Sequence, residues 1–106
     1  MLKIFYQENG KTYSDFNLIE EAQKIINNYK NDGWEIVIVS TDNIINALRI
    51  LVCRGKLSHT EVVFKYKDET IIMNEKGELS HYPEGFCDCQ KTFLRELIEF
   101  KIGKKL

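Results

Sequence analysis

The chain has 106 residues, enough for one domain with a single core and too few for two. It is 43% hydrophobic and 29% charged, with six glycines and one proline, the composition of an ordinary globular domain. Its 15 basic and 16 acidic residues leave a net charge of −1. That balance argues against nucleic acid or a membrane surface as partner, since both need a sustained positive field.

No segment approaches the roughly 20 apolar residues of a bilayer span. The opening Met1 to Glu8 lacks the charged, then apolar, then small-residue layout of a secretory signal, so a cytoplasmic location is expected. The odd set Cys53, Cys87 and Cys89 fits reduced thiols better than a disulfide framework. Enrichment in Lys, Asn and Ile fits an AT-rich coding genome, prokaryotic or phage.

In chain order, Leu2 to Gln7 and Lys11 to Ser14 alternate about Asn9-Gly10, a pair suited to a tight turn, and predict a β-hairpin. Asn17 with Glu20 opens a helix whose apolar face is Leu18, Ile19, Ala22, Ile25, Ile26 and Tyr29. Gly33 is placed to stop it. Trp34 to Ser40 reads as a strand, and its apolar run Ile36 to Val39 predicts a central strand covered on both faces.

Thr41 or Asp42 caps a second helix with the stripe Ile44, Ile45, Leu48, Leu51 and Val52, ended by Gly55. Glu61 to Lys67 and Thr70 to Met73 predict a second hairpin. Asp88 opens a last helix with Phe93, Leu94, Leu97 and Ile98 on its buried side. The order ββαβαββα predicts a single α/β domain over residues 1–106, at the border of α+β, with about five strands in a mixed sheet and three helices.

Three groups of residues invite a chemical reading. Ser40, Thr41, Asp42 and Asn43 lie at the carboxyl end of a strand and open a helix, where α/β sheets commonly bind anions. The same residue types also serve as a cluster that satisfies the orphan amides of a helix start. Cys87-x-Cys89 with His81 nearby has the look of half a zinc site, with Cys53 and His59 as the only other soft side chains. The spacing is not that of a zinc knuckle, and a Cys89–His81 pair lacks an orienting group and an oxyanion site. No catalytic residue, metal or cofactor is therefore assigned. Tyr82, Pro83, Glu84, Phe86 and Asp88 put aromatic and proline side chains in a loop, either as a docking surface or as a turn that seals the core edge.

The stretch 35–98 resembles the C-terminal half of ABC-type AAA ATPases, the SMC-like and OLD-like proteins that carry a C-terminal domain of unknown function. Five short motifs carry the resemblance, in order. They are the strand Ile36-Val37-Ile38-Val39 running into Ser40-Thr41-Asp42-Asn43, then Ile44-Ile45-Asn46-Ala47-Leu48-Arg49, and Gly55-Lys56-Leu57-Ser58. Val62-Val63 follows, and after Lys76-Gly77 comes Tyr82-Pro83-Glu84-Gly85-Phe86-Cys87-Asp88. The resemblance implies an ATPase-like fold and a protein partner of the same type.

The departures bear on activity. Ser40 stands where those ATPases have a phosphate-sensing histidine, and Asn43 stands at their second histidine. No Gly-x-x-x-x-Gly-Lys-Ser/Thr loop is present, nor an acidic pair at the end of an apolar strand. Phosphoryl transfer is positioning and charge stabilisation by those groups, so hydrolysis is not expected. The expected function is that of a non-catalytic protein-interaction domain, working with an ATPase-type complex or by self-association. A small-anion or nucleotide sensor at Ser40 to Asn43 is the alternative. A thiol or metal enzyme built on Cys87, Cys89 and His81 is the second alternative.

Overall fold

The structure, a computed structural model, describes residues 1–83, 85 and 86. The elements are β1 (Leu2–Lys11), α1 (Leu18–Asp32), β2 (Glu35–Val39), α2 (Asn43–Cys53), β3 (Val62–Tyr66) and β4 (Glu69–Ile71), with a short 3-10 turn at His59–Glu61. Among the described residues this is an α+β domain with one mixed four-stranded sheet, ordered β2-β1-β3-β4, and two helices. The predicted last helix, from Asp88 through Phe93, Leu94, Leu97 and Ile98, lies outside the described residues.

The N-terminal hairpin does not form. β1 continues past Asn9-Gly10 without a hairpin turn and pairs in parallel with both β2 and β3. The local turn signal shows up as an irregularity within the strand, because Tyr6 and Lys11 both lie opposite Val39 and residues 7–10 bulge out between them. Glycine is required there by space: a Cβ on Gly10 would sit 2.4 Å from the Val39 carbonyl carbon. A parallel strand needs a crossover, and α1 supplies it.

α1 keeps its predicted stripe, burying Ala22, Ile25, Ile26 and Tyr29, while Leu18 is half-buried and Ile19 is exposed. Asn17 precedes it in the left-handed region with no side-chain capping bond. At the other end Gly33, at φ 82°, donates its N–H to the Tyr29 carbonyl and stops the helix as expected. α2 is apolar nearly all round, and Ile44, Ile45, Ala47, Leu48, Leu51 and Val52 are all buried. It also buries Arg49, whose Nε donates to the Gly77 carbonyl at 2.7 Å and whose guanidinium reaches the Tyr82 hydroxyl at 3.2 Å. Gly55, at φ 81°, follows the end of α2.

A second hairpin forms in the predicted place but with shorter strands and a tighter turn: Glu69 lies in β4 opposite Tyr66, and Lys67 carries the positive φ of a two-residue turn. The two faces of the sheet differ. Leu2, Ile4, Val39, Val62, Phe64 and Ile71 are buried in one cluster with the helices. On the other face the registers align Ile36 with Lys3 and Val63, and Ile38 with Phe5, Lys65 and Thr70. β2 is thus an edge strand and not the predicted central strand covered on both faces. Its apolar run reflects a covered face at Val37 and Val39 and an uncovered one at Ile36 and Ile38.

Candidate functional site

The carboxyl ends of β1, β2 and β3 meet at one rim of the sheet, and the predicted Ser40 to Asn43 group sits there. Its polar atoms are engaged with the loop after β1. Thr12 and Ser40 share a hydroxyl hydrogen bond of 2.8 Å, and the Tyr13 N–H donates to Thr41 Oγ1 at 3.2 Å. Asn43 Nδ2 donates to the Tyr13 carbonyl at 2.7 Å and to Asp15 Oδ1 at 2.9 Å. Its Oδ1 accepts from Thr41 Oγ1 and from the Ile44 N–H. Asp42 occupies the cap position of α2 without a side-chain capping bond. The arrangement holds residues 12–15 against the start of α2 and satisfies a helix amide, as N-terminal residues of this type do.

A shallow cleft of about 220 Å³ opens on this rim, lined by Tyr6, Gln7, Glu8, Ser40, Tyr66 and Gly85. Among the described residues of its lining there is one carboxylate, Glu8, and neither lysine nor arginine.

The Tyr82 to Asp88 group divides. Phe86 is fully buried and packs between Tyr6 and Tyr66, with ring centroids 5.5 and 5.3 Å away. Its N–H donates to the Pro83 carbonyl at 3.0 Å, closing a turn in which Gly85 has φ 85°. A side chain on Gly85 would also meet the Tyr66 hydroxyl, 2.6 Å from its Cβ. Tyr82 is exposed apart from its bond to Arg49, and Pro83 is half-buried. Glu84 and Asp88 lie outside the described residues, as do Cys87 and Cys89.

His81 sits in a chain of contacts that sequence reasoning did not find. Ser80 Oγ and His81 Nδ1 are 3.0 Å apart, and His81 Nε2 lies 2.7 Å from Glu69 Oε1. The order serine, histidine, carboxylate matches that of a nucleophile, base and orienting acid. The residues are exposed, however, and Ser80 Oγ accepts the Ile72 N–H at 3.2 Å. With the Ser80 N–H bound to the Ile72 carbonyl, the chain of contacts ties residues 80 and 81 to the end of β4. No local sequence pattern marks it, because it depends on Ser80 pairing with Ile72. Cys53 is buried at the end of α2, and no group of three or more metal-ligating side chains converges among the described residues.

Two tyrosine hydroxyls are shifted. Tyr29 donates to Glu61 Oε1 at 2.8 Å, and that hydrogen bond, with burial and the Glu61 charge, raises its pKa above the ordinary tyrosine value. Burial, then the Glu21 carboxylate, raises that of Tyr13. Both effects favour the neutral phenol, a structural role.

Among the described residues, the open sheet face carries a group of exposed apolar side chains. Ile36 is 52% exposed and Ile38 is 42% exposed; Trp34 just before them is 62% exposed and Ile72 on the far side is 53% exposed. Half-buried Phe5 and Val63 lie between them. Lys3, Lys65 and Thr70 share the face; exposed apolar side chains rimmed by polar ones in this way are the kind of surface that marks an interaction site. No described helix is long and apolar enough to cross a membrane. No family model matches the chain, and no curated protein or solved structure matches it.

Proposed function

We propose that this chain is a non-catalytic protein-interaction domain, and that its contact surface is the open sheet face. The observation that carries this reading is the exposure of Trp34, Ile36, Ile38 and Ile72 around one face of a four-stranded sheet whose other face packs on the helices. The missing phosphate loop and the exposed setting of Ser80, His81 and Glu69 support a role without catalysis. The five motifs shared in order with the C-terminal half of ABC-type ATPases support descent from such a protein, with an ATPase-type complex or a further copy of the chain as partner.

The test compares the full wild-type chain with an Ile36→Lys, Ile38→Lys double variant as baits in the native host. Both substitutions fall at exposed positions, so the fold persists and circular dichroism checks it. A protein held by the wild type and lost from the variant supports the reading. Identical capture profiles, together with a monomeric wild-type chain, overturn it.

A further inference from the structure

We infer that the partner lays an amphipathic helix of about three turns on the open sheet face, with acidic residues flanking its apolar stripe on both sides. The inference rests on the interaction reading above and names the chemistry of its partner. Three observations carry it.

The first is the pattern of the face. The registers set its side chains in two rows across the sheet, Ile36, Lys3 and Val63 in one and Ile38, Phe5, Lys65 and Thr70 in the other. Carried one residue past Phe64 and Ile71, the β3–β4 register brings the exposed Ile72 beside Val63. Ile38, Phe5, Val63 and Ile72 thus form an apolar diagonal from one edge of the sheet to the other. With strands about 4.8 Å apart and a two-residue step of about 6.6 Å, the diagonal is about 16 Å long, the length of roughly three helical turns. Helix residues at i, i+4, i+7 and i+11 present four apolar side chains over such a line.

The second is charge. Lys3 lies on one side of the diagonal and Lys65 on the other, and these are the charged residues that the registers place on the face. Lys65 Nζ donates to Thr70 Oγ1 at 2.7 Å, and among the described residues neither lysine forms an ion pair. Carboxylates on both flanks of a helix would meet them. A second copy laid face to face would instead set lysines against lysines. The chain's own residues 87–106 carry the same sign in excess, with Lys91, Arg95, Lys101, Lys104 and Lys105 against Asp88, Glu96 and Glu99.

The third is shape. A helix is a cylinder about 10 Å across, so it covers the diagonal while the long lysine side chains reach out from under its sides. A flat lipid surface would take in both lysines along with the isoleucines, and the cost of burying charge opposes that.

The experiment offers the full chain two fluorescent peptides with leucine at the four anchor positions, one flanked by glutamates and the other by lysines. The glutamate peptide is expected to bind and to be preferred by roughly tenfold at low salt, the preference shrinking as salt rises. In a Lys3→Glu, Lys65→Glu variant the preference is expected to reverse, with the circular dichroism unchanged. An Ile38→Ser, Ile72→Ser variant removes both ends of the diagonal at exposed positions and is expected to weaken the glutamate peptide by roughly tenfold.

A chain that binds neither peptide, or both equally, overturns the inference. So does a glutamate preference that survives the charge reversal, or binding that the Ile38→Ser, Ile72→Ser variant leaves at full strength. A wild-type chain that sediments with phosphatidylglycerol vesicles and ignores the glutamate peptide overturns it in favour of a lipid surface. In each of these cases the bait comparison judges the interaction reading on its own: a protein captured by the wild type and lost from the Ile36→Lys, Ile38→Lys variant retains it.

Discussion

The two faces of this sheet are made from the same strands, in many places from adjacent residues, yet they obey different rules. On the helix side Leu2, Ile4, Val62 and Phe64 are buried almost completely in one cluster with α1 and α2. One residue further along each strand, Lys3, Phe5, Val63 and Lys65 look the other way, beside the exposed Ile36 and Ile38 of β2. Hydrophobicity alone does not separate them, since Val37 and Ile38 are both aliphatic β-branched residues. What separates them is whether a second layer lies over that side of the pleat, and burial follows the layer more than the residue. An apolar residue that stabilises the fold on one side is, on the other, a surface for a partner.

The sharpest way to break the comparison is to truncate the covered side. Phe64→Ala removes a fully buried ring from the middle of the cluster and is expected to cost about 3–5 kcal/mol of folding stability, measured by urea unfolding. A smaller loss is expected at the rim, where Gly10→Ala forces a Cβ against the backbone of Val39. That is an overpacking cost of about 1–3 kcal/mol, seen as a lower thermal midpoint with the secondary structure retained.

Tyr29→Phe tests how the covered side is tied to the turn before β3. Loss of the hydrogen bond to Glu61 is expected to cost about 1 kcal/mol at neutral pH. The pH dependence follows from the sign of the shift. Because the folded-state pKa of Tyr29 lies above its unfolded value near 10, the contribution is fully present below about pH 10 and is lost as pH rises through the raised value. Unfolding curves of wild type and variant should therefore converge in alkaline solution. The smallest effect belongs to the open side, where Ile36→Lys and Ile38→Lys should each change monomer stability by no more than about 0.5 kcal/mol. A loss at Ile38 comparable with that at Phe64 would mean that the open face is covered within the folded chain.

Much of the architecture was legible in the residues. The helix stripe from Ala22 to Tyr29 with Gly33 behind it announces α1, since a 3.6-residue period and a left-handed stop are local properties. The place of the turn between β3 and β4 was readable for the same reason. Asn9-Gly10 misled because a favourable local turn was outweighed by pairing with two strands distant in sequence, which turned the glycine into a point of close backbone contact. The place of β2 was not legible either. A run of four apolar residues suits a strand buried on both faces and a strand bare on one, and only the sheet order distinguishes them.

The candidate site divides in the same way. Residue types picked out Ser40 to Asn43 as polar groups at a strand end, but their bonds to Thr12, Tyr13 and Asp15 join segments about 30 apart along the chain. The Ser80, His81 and Glu69 contacts escaped notice because they depend on Ser80 folding back beside Ile72.

By itself, the sequence determined the periodicities, the helix stops and the absence of a phosphate-binding loop, all of which depend on neighbours a few residues apart. Only the tertiary structure decided that β1 is a central parallel strand, that β2 is an edge and that Ile36 and Ile38 lie uncovered. Those outcomes are set by which distant segments pair and which side of the sheet the helices occupy, and no local pattern of residues encodes that choice.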